Sequence, residues 1–375
     1  MKTFMSILAL LTFVPLAASG QTPHHHDHIR EMYFPDVPGY KTLLCDFHIH
    51  TVFSDGSVWP NIRVEEAIRD GLDVIAVTEH LEYLPHKQDI PFPDRNRSSV
   101  IATGAARGKD LIILNGSEVT RDMPPGHANA IFVEDANRLL LDDPTDVFLE
   151  AKRQGAFVFW NHPNWLSQAR DGIVPLTEIH RELIRKNLLH GIEVVNDTTY
   201  SDEALQIALD HNLAIIGTSD IHGLVDWQFR VSQGGHRPVT LVFARDKSPE
   251  AVKRALFQRR TAVWFKKLLI GRERHLMPLL KASLTVEEAL YREGRDVAEV
   301  ILKNRSDARF ELRNKGEFNF HARGDLVTIP PHSSVNLMVK TVERRGSFRL
   351  EFEVMNALTA PRTHPTLTLT VRPNR

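Results

Sequence analysis

The chain has 375 residues, of which 42% are hydrophobic and 25% are charged, and its net charge is -1. This composition excludes a disordered or fibrous chain and allows at least one large hydrophobic core. A net charge near zero provides no overall positive potential that would attract nucleic acid, so we expect no nucleic-acid partner, although a local basic groove stays possible. Cys45 is the single cysteine, which excludes an internal disulfide.

The first twenty residues predict export. Lys2 precedes an apolar stretch at residues 4–15, and residues 16–20 are mostly small, so we expect a signal peptide over 1–20 with cleavage before Gln21. The stretch is short for a transmembrane span, and no transmembrane segment is expected elsewhere. The mature protein should be periplasmic or secreted. Residues 21–41 form a histidine-containing segment, which we interpret as solvated rather than as part of a metal site.

Metal-ligand side chains are concentrated in residues 48–56, HIHTVFSDG. The strand period of two turns His48 and His50 to one face, where two imidazoles can hold one ion. Asp55 can reach a second ion from the turn that follows. A histidine pair of this kind can also be merely packed or solvated, so the interpretation depends on the rest of the chain.

Further candidate ligands accompany short apolar runs. The runs are rich in β-branched or aromatic residues, which is typical of buried parallel strands, and they lie at residues 74–77, 111–114, 157–160 and 213–216. The remaining candidate ligands are His80, Glu118, His127, His162, Asp220 and His222. Nearly all of them follow such a run directly. Ligands at the carboxyl ends of strands are typical of the active face of a (β/α) barrel.

Helical patterns separate these runs. Residues 60–70 carry an apolar stripe that stops at Gly71, and Ser201 and Ser248 stand where helix N-caps are expected. The alternation of strands and helices predicts an α/β fold with a mainly parallel sheet.

The order and spacing of these motifs, over roughly residues 42–266, resemble the PHP (polymerase and histidinol phosphatase) family. Its members are metal-dependent phosphoesterases with a distorted seven-stranded (β/α) barrel, which the resemblance places at residues 42–270. The family's first motif, His-x-His-Thr-x-x-Ser-Asp-Gly, is unbroken here. The resemblance implies three divalent ions: one at His48, His50, Glu118 and Asp220, a second at Glu118, His127 and His162, and a third at Asp55, His80 and His222.

Hydrolysis of a phosphate ester needs a hydroxide at neutral pH and neutralisation of the phosphate oxygens, and divalent ions supply both. The resemblance implies that a hydroxide bridging two ions is the nucleophile. Asp220 and His222 are the candidate catalytic residues for proton transfer. Imidazole and carboxylate ligands without thiolate suit Mn, Zn or Fe, so the metal is left open.

Four cationic side chains are candidates for substrate binding, because they should lie near the active face and arginine matches the paired oxygens of a phosphate. They are Arg121, Arg230, His236 and Arg237. A solvated loop would explain each of them about equally well. Other histidines are expected on the surface: His86, His180, His190 and His211.

The pattern changes after about residue 276 to short alternating runs separated by polar turns. They predict strands at 297–302, 310–312, 327–329, 335–339, 348–354 and 367–371. We expect a small all-β sandwich, immunoglobulin-like, over residues 276–375. It contains none of the motif ligands, so its default role is packing or oligomerisation.

Three functions are compatible with the sequence. The layout is similar to that of Sb-PDE-type phosphodiesterases, which favours an exported enzyme that hydrolyses a small-molecule phosphodiester. The alternatives are a phosphomonoesterase of the same family, acting on a nucleotide or sugar phosphate, and a non-catalytic surface protein stabilised by metal. The oligomeric state is left open.

Overall fold

The computed structural model describes residues 31–91 and 94–374, so the predicted signal peptide and the histidine tract at 24–28 lie outside the described residues. None of the helices in this described part is long and apolar enough to cross a membrane.

Strands and helices alternate through most of the chain. They are β1 (Lys41–Asp46), α1 (Pro60–Arg69), β2 (Val74–Val77), α2 (Arg97–Ala105), β3 (Ile112–Val119), β4 (Ala128–Ile131), α3 (Pro144–Arg153), β5 (Phe157–Trp160), α4 (Glu178–Arg185), β6 (Gly191–Asn196), β7 (Thr199–Tyr200), α5 (Asp202–Asp210), β8 (Ala214–Thr218), α6 (Val225–Gln228), β9 (Val239–Ala244), α7 (Pro249–Phe257), β10 (Thr261–Phe265), β11 (Leu268–Gly271) and α8 (Glu273–Ser283). Strands alone follow: β12 (Leu284–Tyr291), β13 (Val297–Asn304), β14 (Phe310–Asn314), β15 (Leu326–Ile329), β16 (Ser334–Lys340), β17 (Phe348–Val354), β18 (Ala357–Leu358) and β19 (Thr366–Val371).

A twelve-stranded sheet curls into a barrel. β1, β2 and β3 pair in parallel, and so do β5, β6 and β8. β4 is antiparallel between β3 and β5, and β9 is antiparallel to β1. The predicted α/β barrel is confirmed, but the sheet is mixed rather than mainly parallel, because β4 and the β9 to β11 segment turn back on their neighbours.

A side chain joins β8 to β9. The Gly217 N–H of β8 donates to Thr240 Oγ1 of β9 at 2.9 Å, and the Thr240 hydroxyl donates back to the Gly217 carbonyl at 2.8 Å. β8 also packs against β10, the strand paired with β9, where a Cβ on Gly217 would lie 2.3 Å from Cγ1 of Val263. Glycine is therefore required for this close approach.

The predicted helix ends are confirmed. α1 ends at Arg69, and the chain then turns through Gly71, which has the left-handed φ of 71°. Ser201 and Ser248 cap α5 and α7, because their hydroxyls accept hydrogen bonds from Ala204 N and Ala251 N.

The carboxyl-terminal strands form two antiparallel sheets, one of β12, β13 and β16 and one of β15, β14, β17 and β19. All six predicted strands are present. β12 was not predicted, because a register irregularity between Val286 and Glu288 interrupts its alternation. The two-residue β18 was also missed, and it joins the barrel sheet by pairing in parallel with β11. The Asn356 side chain beside it donates to the carbonyls of Lys267 and Arg309.

Candidate metal centre

The nine predicted metal ligands lie together at one end of the barrel. His48 and His50 follow β1, His80 follows β2, and Glu118 lies within β3. His127 immediately precedes β4, and because β4 runs antiparallel, its first residue lies at the same end as the last residues of β3 and β5. His162 follows β5, and Asp220 and His222 follow β8.

The ligand atoms form four overlapping groups, in each of which the atoms lie within 4.8 Å of one another. The groups are His50, Asp55, His80 and His222; His48, His50 and Asp220; His48, Glu118 and His162; and His80, Glu118 and His127. His48, His50, His80 and Glu118 each belong to two groups, and among these four the carboxylate of Glu118 is the side chain with two oxygens that could bridge two ions. The assignment of these ligands to three separate ions stays a prediction.

Several ligand atoms are arranged for a cation rather than for each other. Nε2 of His48 and Nε2 of His50 face each other at 3.0 Å, while Nδ1 of His48 is already bonded to Glu193. Among the described residues, Glu118 Oε2, Asp220 Oδ1 and His162 Nδ1 are buried and have no hydrogen-bond partner of suitable geometry. Buried polar atoms without partners are costly, so this donor set fits divalent ions.

Glu193, which sequence reasoning missed, orients two of the ligands. Its carboxylate lies 2.8 Å from Nδ1 of His48 and also accepts hydrogen bonds from the His162 backbone N–H, the Thr218 hydroxyl and the Asn196 side chain. The bond to Nδ1 leaves Nε2 of His48 as the nitrogen available to an ion. The available signal was a lone carboxylate inside the apolar strand β6.

Glu79 has a comparable role beside His50. It is buried and accepts hydrogen bonds from the Thr51 backbone N–H at 3.0 Å and from the hydroxyls of Thr51 and Ser54. The Ser54 hydroxyl lies 3.2 Å from Nδ1 of His50. Burial raises the pKa of Glu79 above its ordinary value, although these hydrogen bonds and Arg63 oppose the rise. The Thr-x-x-Ser portion of the motif, Thr51 to Ser54, thus holds the loop and the ring of His50 through the carboxylate of Glu79.

Arg63 of α1 joins the two loops that carry His50 and His222. Its buried guanidinium donates to the carbonyls of His50, Ile221, His222 and Gly223 at 2.7–3.1 Å. It also forms an ion pair with Glu66 at 2.8 Å. One buried side chain of a helix therefore fixes the backbone of both loops.

The electrostatics of the ligands follow from burial and from their neighbours. Burial lowers the pKa of His50 to about 3. Burial opposes charge on His80 as well, but Glu118 and Asp55 raise its pKa to about 10. Despite burial, the surrounding histidines hold the pKa values of Glu118 and Asp220 well below those of ordinary carboxyl groups. Both carboxylates are thus ionised at neutral pH, as metal ligands would need to be.

Asp220 and His222 lie where the cluster meets the cavity. Asp220 Oδ1 is 3.1 Å from Nε2 of His48, and its other oxygen accepts a hydrogen bond from Asn196. His222 is more accessible, with 38% of its side chain exposed, and its Nε2 lies 3.1 Å from Asp55 Oδ1. Asp220 and His162 have positive φ angles of 49° and 24°, which are unusual for residues with side chains and are often found at active sites.

A cavity of about 500 Å³ opens onto the cluster. Seven of the nine predicted ligands line it, and its other walls include Trp165, Leu166, Asn196 and Gln228. Trp165 and Leu166 are 47% and 66% exposed, so an apolar surface lies beside the metal ligands. No lysine or arginine of the described residues lines this cavity.

The four predicted substrate-binding cations have different surroundings. Arg237 is buried and forms ion pairs with Asp46 and Asp70, so the expectation that it faces the active site is corrected: its charge is used to hold β1 and the residues after α1. Arg121 bonds to the carbonyls of Leu141 and Asp142 and pairs with Glu82. His236 stacks on Trp264 with ring centroids 3.6 Å apart. Arg230 is exposed and lines a second cavity.

Two histidines expected on the surface are buried. His180 stacks on Trp160 and bonds to the Pro125 carbonyl at 2.7 Å. His190 accepts a hydrogen bond from Val158 N and bonds to the Asn187 carbonyl. Burial lowers the pKa of each to about 4, so both are neutral at pH 7. The helix and loop patterns predicted exposure because they do not show which apolar strands pack against them.

Comparison with known proteins gives an extensive match. The chain is 41% identical to a two-domain protein from Bacteroides vulgatus, described as containing a predicted PHP-like metal-dependent phosphoesterase. The match covers 91% of this chain and 98% of that one, with a TM-score of 0.85. A family model described as DUF5001, an Ig-like domain, matches residues 284–370. No protein of the curated set matches significantly.

More distant structures share less of the fold. A protein from Bifidobacterium adolescentis, described as a metal-dependent phosphoesterase, is 20% identical over 48% of this chain and 87% of its own, with a TM-score of 0.36. A lesion-specific endonuclease from Pyrococcus furiosus is 15% identical over 66% of this chain and 62% of its own, with a TM-score of 0.41.

Proposed function

Because the chain belongs to the PHP-like metal-dependent phosphoesterases and is thus a hydrolase of phosphate esters, we propose that it is an exported phosphodiesterase with three divalent ions. The observation that supports diesters most directly is the lining of the metal-centre cavity. Ligands, uncharged polar side chains, Asp197 and two exposed apolar residues line it, without a lysine or arginine among the described residues.

This lining favours a diester over a monoester. A phosphomonoester dianion requires more positive charge around it than a diester, and a diester requires space for a second ester group. Trp165 and Leu166 provide an apolar surface for such a group beside His127 and His162, since the Trp165 ring lies 5.8 Å and 5.2 Å from the rings of these two histidines. Trp165 and Leu166 therefore contribute to the choice of substrate.

The nine ligands would hold three ions. By the resemblance of the motifs, His48, His50, Glu118 and Asp220 would hold the first, Glu118, His127 and His162 the second, and Asp55, His80 and His222 the third. The group of His50, Asp55, His80 and His222 contains the whole third set, and the group of His48, His50 and Asp220 contains three members of the first. Divalent ions bound there supply charge neutralisation and an activated water, and Mn, Zn or Fe suits the donor set. Asp220 and His222 move protons to or from the nucleophile and the leaving group, because both adjoin the cavity and His222 is partly exposed.

Export is supported by residues 1–20 alone, where Lys2 and the apolar stretch at 4–15 precede a small-residue segment. Expression of the full chain in a Gram-negative host, followed by fractionation and amino-terminal sequencing, tests it. A periplasmic or secreted product that begins at Gln21 is expected, and an uncleaved cytoplasmic product would contradict export.

A single substitution tests the catalytic proposal. His222→Ala removes one ligand and one proton-transfer group, so we expect turnover of bis(p-nitrophenyl) phosphate to fall by at least about 100-fold. His321→Ala, an exposed histidine far along the chain in the β domain, is the matched control and should retain activity. Full activity of His222→Ala would contradict the mechanism, and wild-type protein that is fully metallated but inactive would favour the non-catalytic alternative.

A further inference from the structure

A second cavity of about 580 Å³ adjoins the metal-centre cavity, because Asp197 and Gln228 line both. Its other walls come from residues 229–236, which precede β9, and from residues 265–267, at the turn between β10 and β11. The Gln228 side chain donates to Asp197 Oδ1 at 2.7 Å, so a hydrogen bond holds the shared wall together. A substrate at the metal centre can therefore extend into the second cavity.

Three exposed cations line this second cavity: Arg230, Lys266 and Lys267. No carboxylate in the described ranges, 31–91 and 94–374, lies within ion-pair distance of them. Arg237 in the same loop differs, because Asp46 and Asp70 neutralise it. Asp197 is the carboxylate in the lining, so the cavity has an excess of positive charge.

The walls of the cavity are held by local structure. A Cβ on Gly235 would lie 1.9 Å from the Phe229 carbonyl oxygen, so glycine is required for this loop to close on itself. Lys266 has a left-handed φ of 53° and its Nζ donates to the Thr198 carbonyl at 3.0 Å. Lys266 is thereby tied to the residues that follow β6, close to the shared wall.

We propose that this cavity is an anion-binding subsite that selects phosphodiesters in which one alcohol component carries a second anionic group, a phosphate or a carboxylate. The scissile phosphate lies at the metal centre, and the second anion contacts Arg230, Lys266 and Lys267. This inference rests on the proposed phosphodiesterase function and adds the class of diester. Positive charge is thus divided between the ions at the reacting phosphate and side chains at the distal group.

Matched substrates test the subsite. One pair is the p-nitrophenyl ester of thymidine 5′-phosphate with and without a 3′-phosphate, and the other is the p-nitrophenyl phosphodiester of glycolate against that of ethanol. We expect kcat/KM to be higher by about tenfold for the charged member of at least one pair, since charge-assisted contacts to arginine and lysine are added. A gain in one pair alone assigns the subsite to phosphate or to carboxylate, and no gain in either overturns the proposal.

Charge removal then locates the effect. In Arg230→Gln/Lys267→Gln the ratio of kcat/KM values within the responsive pair should fall toward one, because two of the three added contacts are lost. Arg323→Gln, an exposed arginine of the β domain, should keep the wild-type ratio. An unchanged ratio in the double variant would overturn the subsite. Wild-type protein that does not hydrolyse bis(p-nitrophenyl) phosphate would refute the phosphodiesterase proposal. Wild-type protein that hydrolyses this diester but shows no higher kcat/KM for the charged member of either pair would refute the subsite alone.

Discussion

The carboxylate of Glu193 shows how much of a metal centre lies outside its ligands. It accepts hydrogen bonds from the side chain of one ligand, His48, and from the backbone N–H of another, His162. These bonds select the tautomer of His48 and hold the loop after β5, so Glu193 would act on a bound ion through the residues predicted to hold it.

Glu193→Gln should therefore weaken metal binding by about 10- to 100-fold, because an amide keeps the shape of the side chain but cannot accept from all four donors. Competition with a chelator of known affinity measures the change, and circular dichroism checks the fold. Glu293→Gln, at an exposed glutamate of the β domain, is the control. Unchanged metal affinity in Glu193→Gln would show that His48 needs no partner to be oriented.

His190 makes stability depend on pH. Its folded pKa of about 4 lies below the ordinary value of 6.5, so the unfolded chain binds the proton more tightly. The contribution of neutral His190 to the free energy of unfolding is fully present above pH 6.5 and is lost as pH falls toward 4. The loss at pH 5 is on the order of 2 kcal/mol. Urea unfolding of wild type and His190→Gln across this range measures it. A variant that keeps the wild-type slope between pH 7 and pH 5 would contradict this assignment.

At the scale of elements, α1 holds the metal centre through Arg63. The four carbonyls that accept hydrogen bonds from Arg63 belong to the loops after β1 and β8. In the described structure these two loops pair with each other through a single β-bridge, between Ile49 and Ile221. Glu66 completes the arrangement by pairing with Arg63 and accepting a hydrogen bond from Val225 N.

Arg63→Ala should lower the free energy of unfolding by about 3–5 kcal/mol, because it leaves Glu66 buried without its partner and removes the donors of four carbonyls. Arg63→Lys is a more demanding comparison, since an ammonium keeps the charge without the planar fork. Denaturant unfolding and metal content are the measurements. Wild-type values for Arg63→Lys would show that charge alone is needed.

Gly217 in β8 determines how closely β8 and β10 approach. Gly217→Ala places a methyl group against Val263, so we expect a loss of about 1–3 kcal/mol through overpacking. Val263→Ala in the same chain provides space, and the double variant should be more stable than the sum of the two single changes implies. Strict additivity in denaturant unfolding would contradict this contact.

At the scale of the whole molecule, the β domain is attached to the barrel by backbone as well as by side chains. β18 extends the barrel sheet, and Asn356 bonds to residues of both parts. All five tryptophans lie between residues 59 and 264, within the barrel, whereas circular dichroism reports on both parts. We expect fluorescence and circular dichroism to give the same unfolding midpoint, and separate midpoints would show that the two parts unfold independently.

The convergence of the nine predicted ligands could be foreseen from the sequence, because histidine and carboxylate side chains at the ends of neighbouring strands meet at one end of a barrel. Glu193, Arg63 and Arg237 could not be assigned in this way. Each is a charged residue whose role depends on which distant groups surround it, and a sequence pattern does not distinguish a buried paired charge from an exposed one. β18 was missed for a similar reason, since two residues contain no periodicity and pair only with a strand of another domain.

The measurement that tests the central proposal most directly is hydrolysis of bis(p-nitrophenyl) phosphate and of p-nitrophenyl phosphate by the same metal-loaded sample, with its metal content determined. Three ions per chain and faster hydrolysis of the diester are expected, because nine ligands converge on a cavity without lysine or arginine among the described residues. Faster hydrolysis of the monoester, or no hydrolysis by a fully metallated protein, would contradict the proposed phosphodiesterase.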